Sequence, residues 1–209
     1  MILPPLDKRY FNKKATIRYN GELVDLSSPK VMGILNLTPD SFFDGGRYNT
    51  IDRALKQTEK MVSEGAFIID IGAYSTRPGA DDVSVNEELN RLLPVIKEIK
   101  GSFTELLISI DTFRAEVAEN VVGETGDCII NDISGGTMDP RMFDTIARLK
   151  VPYILMHIQG TPQTMQQNPS YQNITKEVIK QLSEGVFKLH EMGVSDVIID
   201  PGFGFGKSL

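Results

Sequence analysis

Residues 106–134 read LLISIDTFRAEVAENVVGETGDCIINDIS, and this stretch decides the fold class because it holds one complete strand–helix–strand unit. Leu106–Ile110 and Cys128–Ile133 are largely apolar at consecutive positions, as expected of parallel strands that are covered on both faces. Between them, Ala115–Val122 is predicted to form a helix. Strands that alternate with helices in this way indicate a parallel α/β architecture.

The same unit repeats on both sides of this stretch. The further predicted strands are Val31–Leu37, Ala66–Ile71, Tyr153–Met156 and Val197–Ile199, and the further predicted helices are Ile51–Ser63, Asn86–Lys100, Arg141–Leu149 and Ile174–Met192. Ahead of them, Asn20-Gly21 separates Thr16–Tyr19 from Glu22–Leu26. Asn-Gly favours a type I′ turn, because both central residues of that turn need positive φ. We therefore predict an N-terminal β-hairpin.

Polar residues stand at the carboxyl end of nearly every predicted strand. They are Asn36, Asp70, Asp111, Asn131, His157 and Asp200. A doubly wound sheet concentrates its site at one switch point, whereas a (β/α)₈ TIM barrel draws on all its strand ends. We therefore predict a (β/α)₈ barrel over residues 31–209, preceded by an N-terminal extension with the hairpin over residues 1–30.

The number of predicted strands does not reach the eight of a closed barrel. A (β/α)₈ barrel typically needs about 250 residues, whereas this chain has 209 and carries only six predicted barrel strands. We expect an incomplete barrel that stops after its sixth strand, and an open six-stranded sheet is the alternative.

Composition narrows the functional class. The chain has 22 Lys and Arg against 28 Asp and Glu, a net charge of −6, which argues against a general binder of nucleic acid or anionic membranes. A single cysteine, Cys128, rules out an intramolecular disulfide and a cysteine-rich zinc site, and it fits a reducing cytoplasm. No apolar stretch approaches the roughly 20 residues that span a bilayer. We expect a cytoplasmic protein without a membrane or nucleic-acid partner.

Two loops that follow strands carry candidate ligand-binding residues. The first, Gly33–Gly46, holds Asn36, which could hydrogen-bond to a ligand or place its amide oxygen on Mg²⁺, although its Asp and Phe residues could equally make turns or pack. The second, Ser75–Gly79, offers two hydroxyl groups and the guanidinium of Arg77. Arginine can hold a phosphate group with two hydrogen bonds.

Three strand-end residues are expected to converge at the mouth of the barrel. Asp111, Asn131 and Asp200 together suit a flat heterocycle that presents neighbouring N–H donors, and Met156 and Phe205 could enclose such a ring. For a single buried aspartate, an ion pair or a helix cap is the structural alternative.

Residues 202–208, GFGFGKS, only superficially resemble a nucleotide-binding loop. Pro201 stands where the Walker pattern needs glycine, and Lys207 stands where the dinucleotide pattern needs it. Both interpretations are therefore rejected.

The motifs, taken together and in order, resemble those of the dihydropteroate synthase family of folate synthesis. They are Thr38–Phe42, Ser75–Gly79, Asp111-Thr112, Asn131–Gly136, Leu155–His157 with Gly160–Pro162, and Asp200–Lys207. The resemblance implies a (β/α)₈ barrel, homodimeric at full length. It also implies that 6-hydroxymethyl-7,8-dihydropterin diphosphate is condensed with para-aminobenzoate, giving 7,8-dihydropteroate and diphosphate with the help of Mg²⁺.

The resemblance also assigns roles to individual residues of this chain. Asp111, Asn131 and Asp200 would hold the pterin, in a pocket lined by Ile133, Met156 and Phe205. Asn36 would contact Mg²⁺, and Thr76 would contact the diphosphate-bearing substrate. The catalytic residues Asp44 and Arg77 would lie on the loops that close over the leaving group, and Phe42 and Pro78 would form the aminobenzoate slot.

Two departures from the family pattern bear on activity. Ala73-Tyr74 stands where the commonest pattern has Gly-Glu, and the family's pterin-contacting lysine and late arginine and histidine would lie beyond Leu209. A non-catalytic chain that binds a pterin, or another copy of itself, is therefore one alternative. The pterin-binding barrel of a methyltetrahydrofolate corrinoid methyltransferase is another, although such a barrel has no reason to carry the loops of Phe42 and Arg77.

Overall fold

The N-terminal hairpin forms as its turn predicts. The computed structural model describes residues 15–37, 46–74, 82–162, 164–166 and 169–207. Within them, β1 (Thr16–Tyr19) and β2 (Glu22–Asp25) pair antiparallel. Asn20 and Gly21 between them have φ of 49° and 80°, the positive values that a type I′ turn requires.

The remaining strands form one parallel sheet with helices between them. Its strands are β3 (Val31–Asn36), β4 (Ala66–Gly72), β5 (Leu107–Asp111), β6 (Ile129–Asp132), β7 (Tyr153–Met156) and β8 (Val197–Asp200). The described helices are α1 (Gly46–Ser63), α2 (Val85–Ser102), α3 (Ala115–Thr125), α4 (Met142–Leu149) and α5 (Ile174–Glu191). Each strand pairs with the next one along the chain. The order never reverses, as it would at the switch point of a doubly wound sheet, so the sheet is part of a (β/α)₈ barrel.

Three helices extend further than predicted. Helix α1 begins at Gly46 instead of Ile51, and α3 ends at Thr125 instead of Val122. Helix α2 runs through Gly101 to Ser102 instead of ending at Lys100. The backbone N–H of Phe103 still donates to the carbonyl oxygen of Ile99. A favourable i→i−4 hydrogen bond thus outweighs the small intrinsic preference of glycine for leaving a helix.

The sheet separates two apolar layers. Its outer face packs against the helices around residues such as Ile69, Ile110 and Ile130. On its inner face, side chains from β4 to β7 meet the hairpin in a second cluster, formed by Ile17, Tyr19, Ile68, Leu107, Ile129 and Ile154. The hairpin therefore closes the amino-terminal end of the strands, and the opposite end carries the polar residues.

Polar contacts anchor the hairpin at the amino-terminal end of the strands. The Tyr19 hydroxyl accepts a hydrogen bond of 3.0 Å from the backbone N–H of Ile108, and the N–H of Asn20 donates to the carboxylate of Asp127. Burial is the main cause that raises the pKa of Tyr19 above its ordinary value.

The two outermost strands of the sheet expose apolar side chains. Ile34 on β3 is 65% exposed and Ile199 on β8 is 58% exposed, because each strand pairs on one side only. None of the described helices is long and apolar enough to cross a membrane.

We expect Tyr19→Phe to destabilise the fold by about 1–3 kcal/mol, because it leaves the buried N–H of Ile108 without an acceptor. Urea unfolding followed by circular dichroism would measure the loss. Leu23→Ala is the matched control in the same hairpin; Leu23 is 72% exposed, so its replacement should change stability by less than about 0.5 kcal/mol. Equal midpoints for Tyr19→Phe and the unmodified chain would contradict this role.

Candidate functional site

The register of four strands aligns the predicted polar residues along one edge of the sheet. Asn36 pairs with Gly72, Gly72 with Asp111, and Asp111 with Asn131. We call these four residues the rim row. The first three are the last residues of β3, β4 and β5, and Asn131 is the residue before the last of β6. On the next pair of strands, Met156 lies opposite Asp200 at the same end. The structure thus brings Asp111 and Asn131 together and places Asp200 at the same mouth; their roles remain predictions.

Gly72 is a member of the rim row that the sequence did not single out. A β-carbon at this position would lie 3.1 Å from Oδ2 of Asp111 and 3.6 Å from Oδ1 of Asn36. Any side chain would therefore crowd the Asp111 carboxyl group. The predicted strand stopped at Ile71, one residue short of the observed end, and no local pattern records the closeness of Gly72 to side chains of other strands.

One layer below, Asp70 contacts the rim row through a hydrogen bond. Nδ2 of Asn131 donates to Oδ2 of Asp70 at 3.0 Å across the intervening strand β5. Asp70 is 4% exposed, and its second oxygen, Oδ1, has no hydrogen-bond partner; nor has the buried hydroxyl of Ser109, its register partner on β5. The sequence showed Asp70 as a polar strand residue but gave no reason to connect it to Asn131.

The acidic groups of this region affect one another. Burial raises the pKa of Asp70, while the neighbouring hydroxyl of Ser109, which is too poorly placed for a hydrogen bond, and the hydrogen bond from Asn131 oppose the rise. Burial raises the pKa of Asp111 well above its ordinary value, and the nearby negative charges of Asp70 and Glu88 add to the effect. Within the described part of the chain, the Asp111 carboxyl accepts no hydrogen bond. A ligand that donates N–H groups would relieve this cost.

Apolar side chains form a wall beside the acidic groups. Ile133, Met156, Ile158 and Met165 make a separate buried cluster, against which Phe205 packs. The structure therefore groups the three apolar residues predicted for the ring pocket. Ile158 and Met165 belong to the same cluster, although no sequence pattern predicted either as a pocket residue.

The segment that follows β8 is folded back on β7 by its own polar groups. The N–H of Gly202 donates to Oδ1 of Asp200 at 2.7 Å. The ammonium group of Lys207 donates to the carbonyl oxygens of Gly202, Phe205 and His157 at 2.8, 3.0 and 3.2 Å. These contacts explain physically why GFGFGK is not a phosphate loop: the lysine is occupied by carbonyl groups.

Lys207 also contacts the ring of His157. Its ammonium nitrogen lies 3.0 Å from Nδ1, so this ring nitrogen accepts and the imidazole is neutral in the contact. Burial, and then the charge of Lys207, lower the pKa of His157, and burial lowers that of Lys207. His157 therefore belongs to the support of this segment.

Asp132, the neighbour of Asn131, faces the opposite side of the sheet. Its buried carboxyl accepts hydrogen bonds from the Tyr153 hydroxyl and from the N–H groups of Ser134 and Gly136, at 2.7, 2.7 and 2.9 Å. These bonds hold the turn after β6. Successive side chains of a strand point to opposite faces of the sheet, so Asn131 faces the mouth and Asp132 faces the scaffold.

A second support lies behind Asp111. The carboxylate of Glu88, which is 1% exposed, accepts from Arg114 at 2.7 Å and from the Thr112 hydroxyl at 2.8 Å. The Arg114 guanidinium in turn lies 5.0 Å from the ring centroid of Tyr74, which packs edge-on against Phe113. Tyr74, one of the two departures noted above, is therefore a buried packing residue.

The remaining predicted site residues fall outside the described part of the chain. They are Phe42, Asp44, Thr76, Arg77 and Pro78. Asn36, the predicted Mg²⁺ contact, is exposed on the rim row, where the space left by Gly72 separates its amide oxygen from the Asp111 carboxyl. Among the described residues no group of three His, Cys, Asp or Glu could hold a metal ion. The amide oxygen of Asn36 nevertheless fits the preference of Mg²⁺ for oxygen and water ligands.

Comparison with known proteins gives one consistent family. Residues 32–209 match the family described as pterin binding enzyme. Dihydropteroate synthase of Haemophilus influenzae is 44% identical over 192 residues, covering 91% of this chain and 69% of that protein. The mitochondrial folate synthesis bifunctional protein of Arabidopsis thaliana is 49% identical over 185 residues, covering 86% of this chain. The chain spans only 33% of that longer relative.

A solved structure agrees with these sequence matches. Dihydropteroate synthase of Xanthomonas albilineans, solved with 4-aminobenzoic acid, superposes with a TM-score of 0.82 and 41% identity. The match covers 93% of this chain and 68% of that one. At this identity the similarity extends beyond the fold to the family.

We expect Lys207→Met to loosen the segment after β8, because hydrogen bonds to a charged group are worth about 1.5–3 kcal/mol each. The amide of Phe205, which donates to Gly202, should exchange its hydrogen at least about tenfold faster. The amide of Tyr153 at the far end of β7 should keep its rate. Lys180→Met on the exposed face of α5 is the control, and an unchanged rate at Phe205 in Lys207→Met would exclude the proposed support.

Proposed function

The chain belongs to the pterin-binding enzyme family, within the dihydropteroate synthases, and from this premise we propose that it condenses 6-hydroxymethyl-7,8-dihydropterin diphosphate with para-aminobenzoate. The products would be 7,8-dihydropteroate and diphosphate. The observation that carries the proposal is the position of Asp111 and Asn131, register partners on adjoining strands at the mouth of the barrel.

The described residues suit the pterin ring chemically. A pterin presents an exocyclic amino group and ring N–H groups, which carboxylate and amide oxygens accept. Asp111 and Asn131 supply such oxygens from the rim row, and Asp200 supplies another from β8. Ile133, Met156 and Phe205 offer the apolar surface that a flat ring needs.

The transfer step follows from the charges at the mouth. Loss of diphosphate leaves positive charge on the pterin-methyl carbon and its ring, and the carboxylates of Asp111 and Asp200 favour that charge. The amine of aminobenzoate is already nucleophilic and needs no covalent enzyme intermediate. After the carbon–oxygen bond to diphosphate breaks, this nitrogen forms a bond to the methylene carbon, diphosphate departs with the electron pair of the broken bond, and the amine proton is lost to solvent.

We assign a Mg²⁺ contact to Asn36, whose amide oxygen is an exposed hard donor on the rim row. The ion, when bound, would offset negative charge on the departing diphosphate. By resemblance, Thr76 would contact the diphosphate-bearing substrate, Asp44 and Arg77 would act on the leaving group, and Phe42 and Pro78 would form the aminobenzoate slot. We further propose that the protein is a homodimer, which the resemblance supports, and that it acts in the cytoplasm, which the composition supports.

Diphosphate release that depends on aminobenzoate is the test of the reaction. The chain is mixed with dihydropterin diphosphate and Mg²⁺, and diphosphate is measured with and without aminobenzoate. Release only in its presence supports the synthase. Release that ignores aminobenzoate, or pterin binding with no release, would overturn the proposed reaction and favour the methyltransferase barrel or the non-catalytic alternative.

Asp111→Asn is the cleanest single variant for pterin binding. Asp200 also accepts from Gly202, so its replacement would disturb the following segment as well. Losing a charged acceptor is worth roughly 1.5–3 kcal/mol, and we therefore expect pterin affinity, measured by calorimetry, to fall about ten- to a hundredfold. Asp144→Asn, on the exposed face of α4, should bind normally. Normal binding by Asp111→Asn would remove Asp111 from the site.

Gly72→Ala tests whether the space beside Asp111 matters. The added β-carbon would force the Asp111 side chain to shift by a few tenths of an ångström. A shifted carboxyl group would meet the N–H groups of the pterin in poorer geometry, and a hydrogen bond is worth about 0.5–1.5 kcal/mol. We therefore expect pterin affinity to fall by about five- to tenfold. Gly101→Ala in α2, where nothing lies within 4 Å of the added carbon, should leave affinity unchanged and stabilise the helix by about 0.5–1 kcal/mol. Equal affinities would contradict the prediction.

A further inference from the structure

We propose that Asp70 is a positioning residue that sets the orientation of the Asn131 amide, and that it thereby selects a ring edge carrying an amino group over one carrying a carbonyl oxygen. The proposal rests on the proposed function, because it takes a pterin as the ligand of the mouth. It concerns a residue that lies one layer below the rim row and that need not touch the substrate.

The hydrogen bond itself fixes the amide. Nδ2 of Asn131 donates to Oδ2 of Asp70 at 3.0 Å. If the amide turned over, Oδ1 of Asn131 would face a carboxyl oxygen at the same distance, and two acceptors would meet in a buried place. The cost of an unpaired buried acceptor keeps the amide in one orientation.

The orientation of the amide depends on Oδ2 of Asp70 acting as an acceptor. Oδ2 accepts from Asn131, whereas Oδ1 has no partner and is buried. In the charged carboxylate both oxygens are acceptors only, so the NH₂ group of Asn131, and not its oxygen, faces Oδ2. A neutral carboxyl group keeps this arrangement when its proton lies on Oδ1.

The fixed amide then presents a defined pattern to a ligand. With one N–H of Asn131 occupied by Asp70, the amide oxygen and one further N–H remain. Within the described residues, that oxygen accepts no hydrogen bond from the protein. It can accept from the exocyclic amino group of a pterin, but it would repel the carbonyl oxygen that a lumazine carries at the same ring position.

The two ligands therefore give a direct test. The affinities of 6-hydroxymethylpterin and 6-hydroxymethyllumazine are measured by calorimetry for the unmodified chain, Asp70→Leu and Ser109→Ala. Leucine has the same number and branching of side-chain heavy atoms as aspartate but no acceptor, so Asn131 becomes free to turn its NH₂ group toward the lumazine carbonyl. We expect the preference for the pterin to fall about tenfold in Asp70→Leu, which is one lost hydrogen-bond preference.

Ser109→Ala is the matched control. Ser109 is the register partner of Asp70, is equally buried, and has a hydroxyl without a partner, but it makes no hydrogen bond to Asn131 in the described structure. Its replacement should leave the ligand preference unchanged. A merely structural role of this layer would instead weaken both ligands equally in Asp70→Leu and keep the ratio of their affinities, which would overturn the proposal.

A double-mutant comparison separates action through Asn131 from direct contact. In an Asn131→Ala background, adding Asp70→Leu should not change the preference any further, because the group that Asp70 orients is gone. A further loss of preference in that background would mean that Asp70 acts on the ligand by another route, and it would overturn the positioning role.

A measurement on the free protein decides the proposal even if no pterin binds. The side-chain NH₂ signals of Asn131, assigned by their loss in Asn131→Ala, should exchange slowly with solvent in the unmodified chain and in Ser109→Ala. They should exchange at least about tenfold faster in Asp70→Leu. Equal rates in all three would refute the inference. Absence of pterin binding with the expected rates would refute the proposed function alone.

Discussion

The parallel pairing of six strands in chain order is the constraint from which the rest of this structure follows. In a parallel sheet all carboxyl ends lie at one edge, so residues far apart in sequence become neighbours there without any long-range recognition between their side chains. The register that joins Asn36, Gly72, Asp111 and Asn131 is also sensitive. A slip of one residue in any strand would turn its polar end residue toward the helices, where the packing is mainly apolar.

This arrangement gathers acidic groups at the mouth and leaves some of them without partners. Glu88 illustrates the difference, because its buried carboxylate is paired with Arg114 and Thr112 and therefore serves the scaffold. Asp111 has no hydrogen bond of this kind within the described residues, and burial together with Asp70 raises its pKa. Electrostatic cost that is not relieved within the scaffold is characteristic of a ligand site, and a pterin offers the donors that would relieve it.

Much of this could be predicted from sequence, and the errors have physical causes. The Asn20-Gly21 turn, the element order and the polar strand ends are confirmed, because turn chemistry and hydrophobic pattern are local properties. The predicted end of α2 at Lys100 was wrong, because the glycine that follows, Gly101, does not end a helix when a helical hydrogen bond is still available beyond it. Gly72 was missed for a different reason: its importance comes from the side chain of another strand, which no local pattern records. The expected barrel family is confirmed by the matched relatives.

The sequence by itself determined which residues form strands and helices, which polar residues stand at the strand ends, and the family to which those motifs belong. Tertiary structure alone decided which atoms meet. Asn131 donates to Asp70 across 61 residues of chain, and Lys207 reaches His157 across 50. Such contacts depend on the register and twist of whole strands, and these are set by the packing of the entire sheet against its helices; no single segment encodes them.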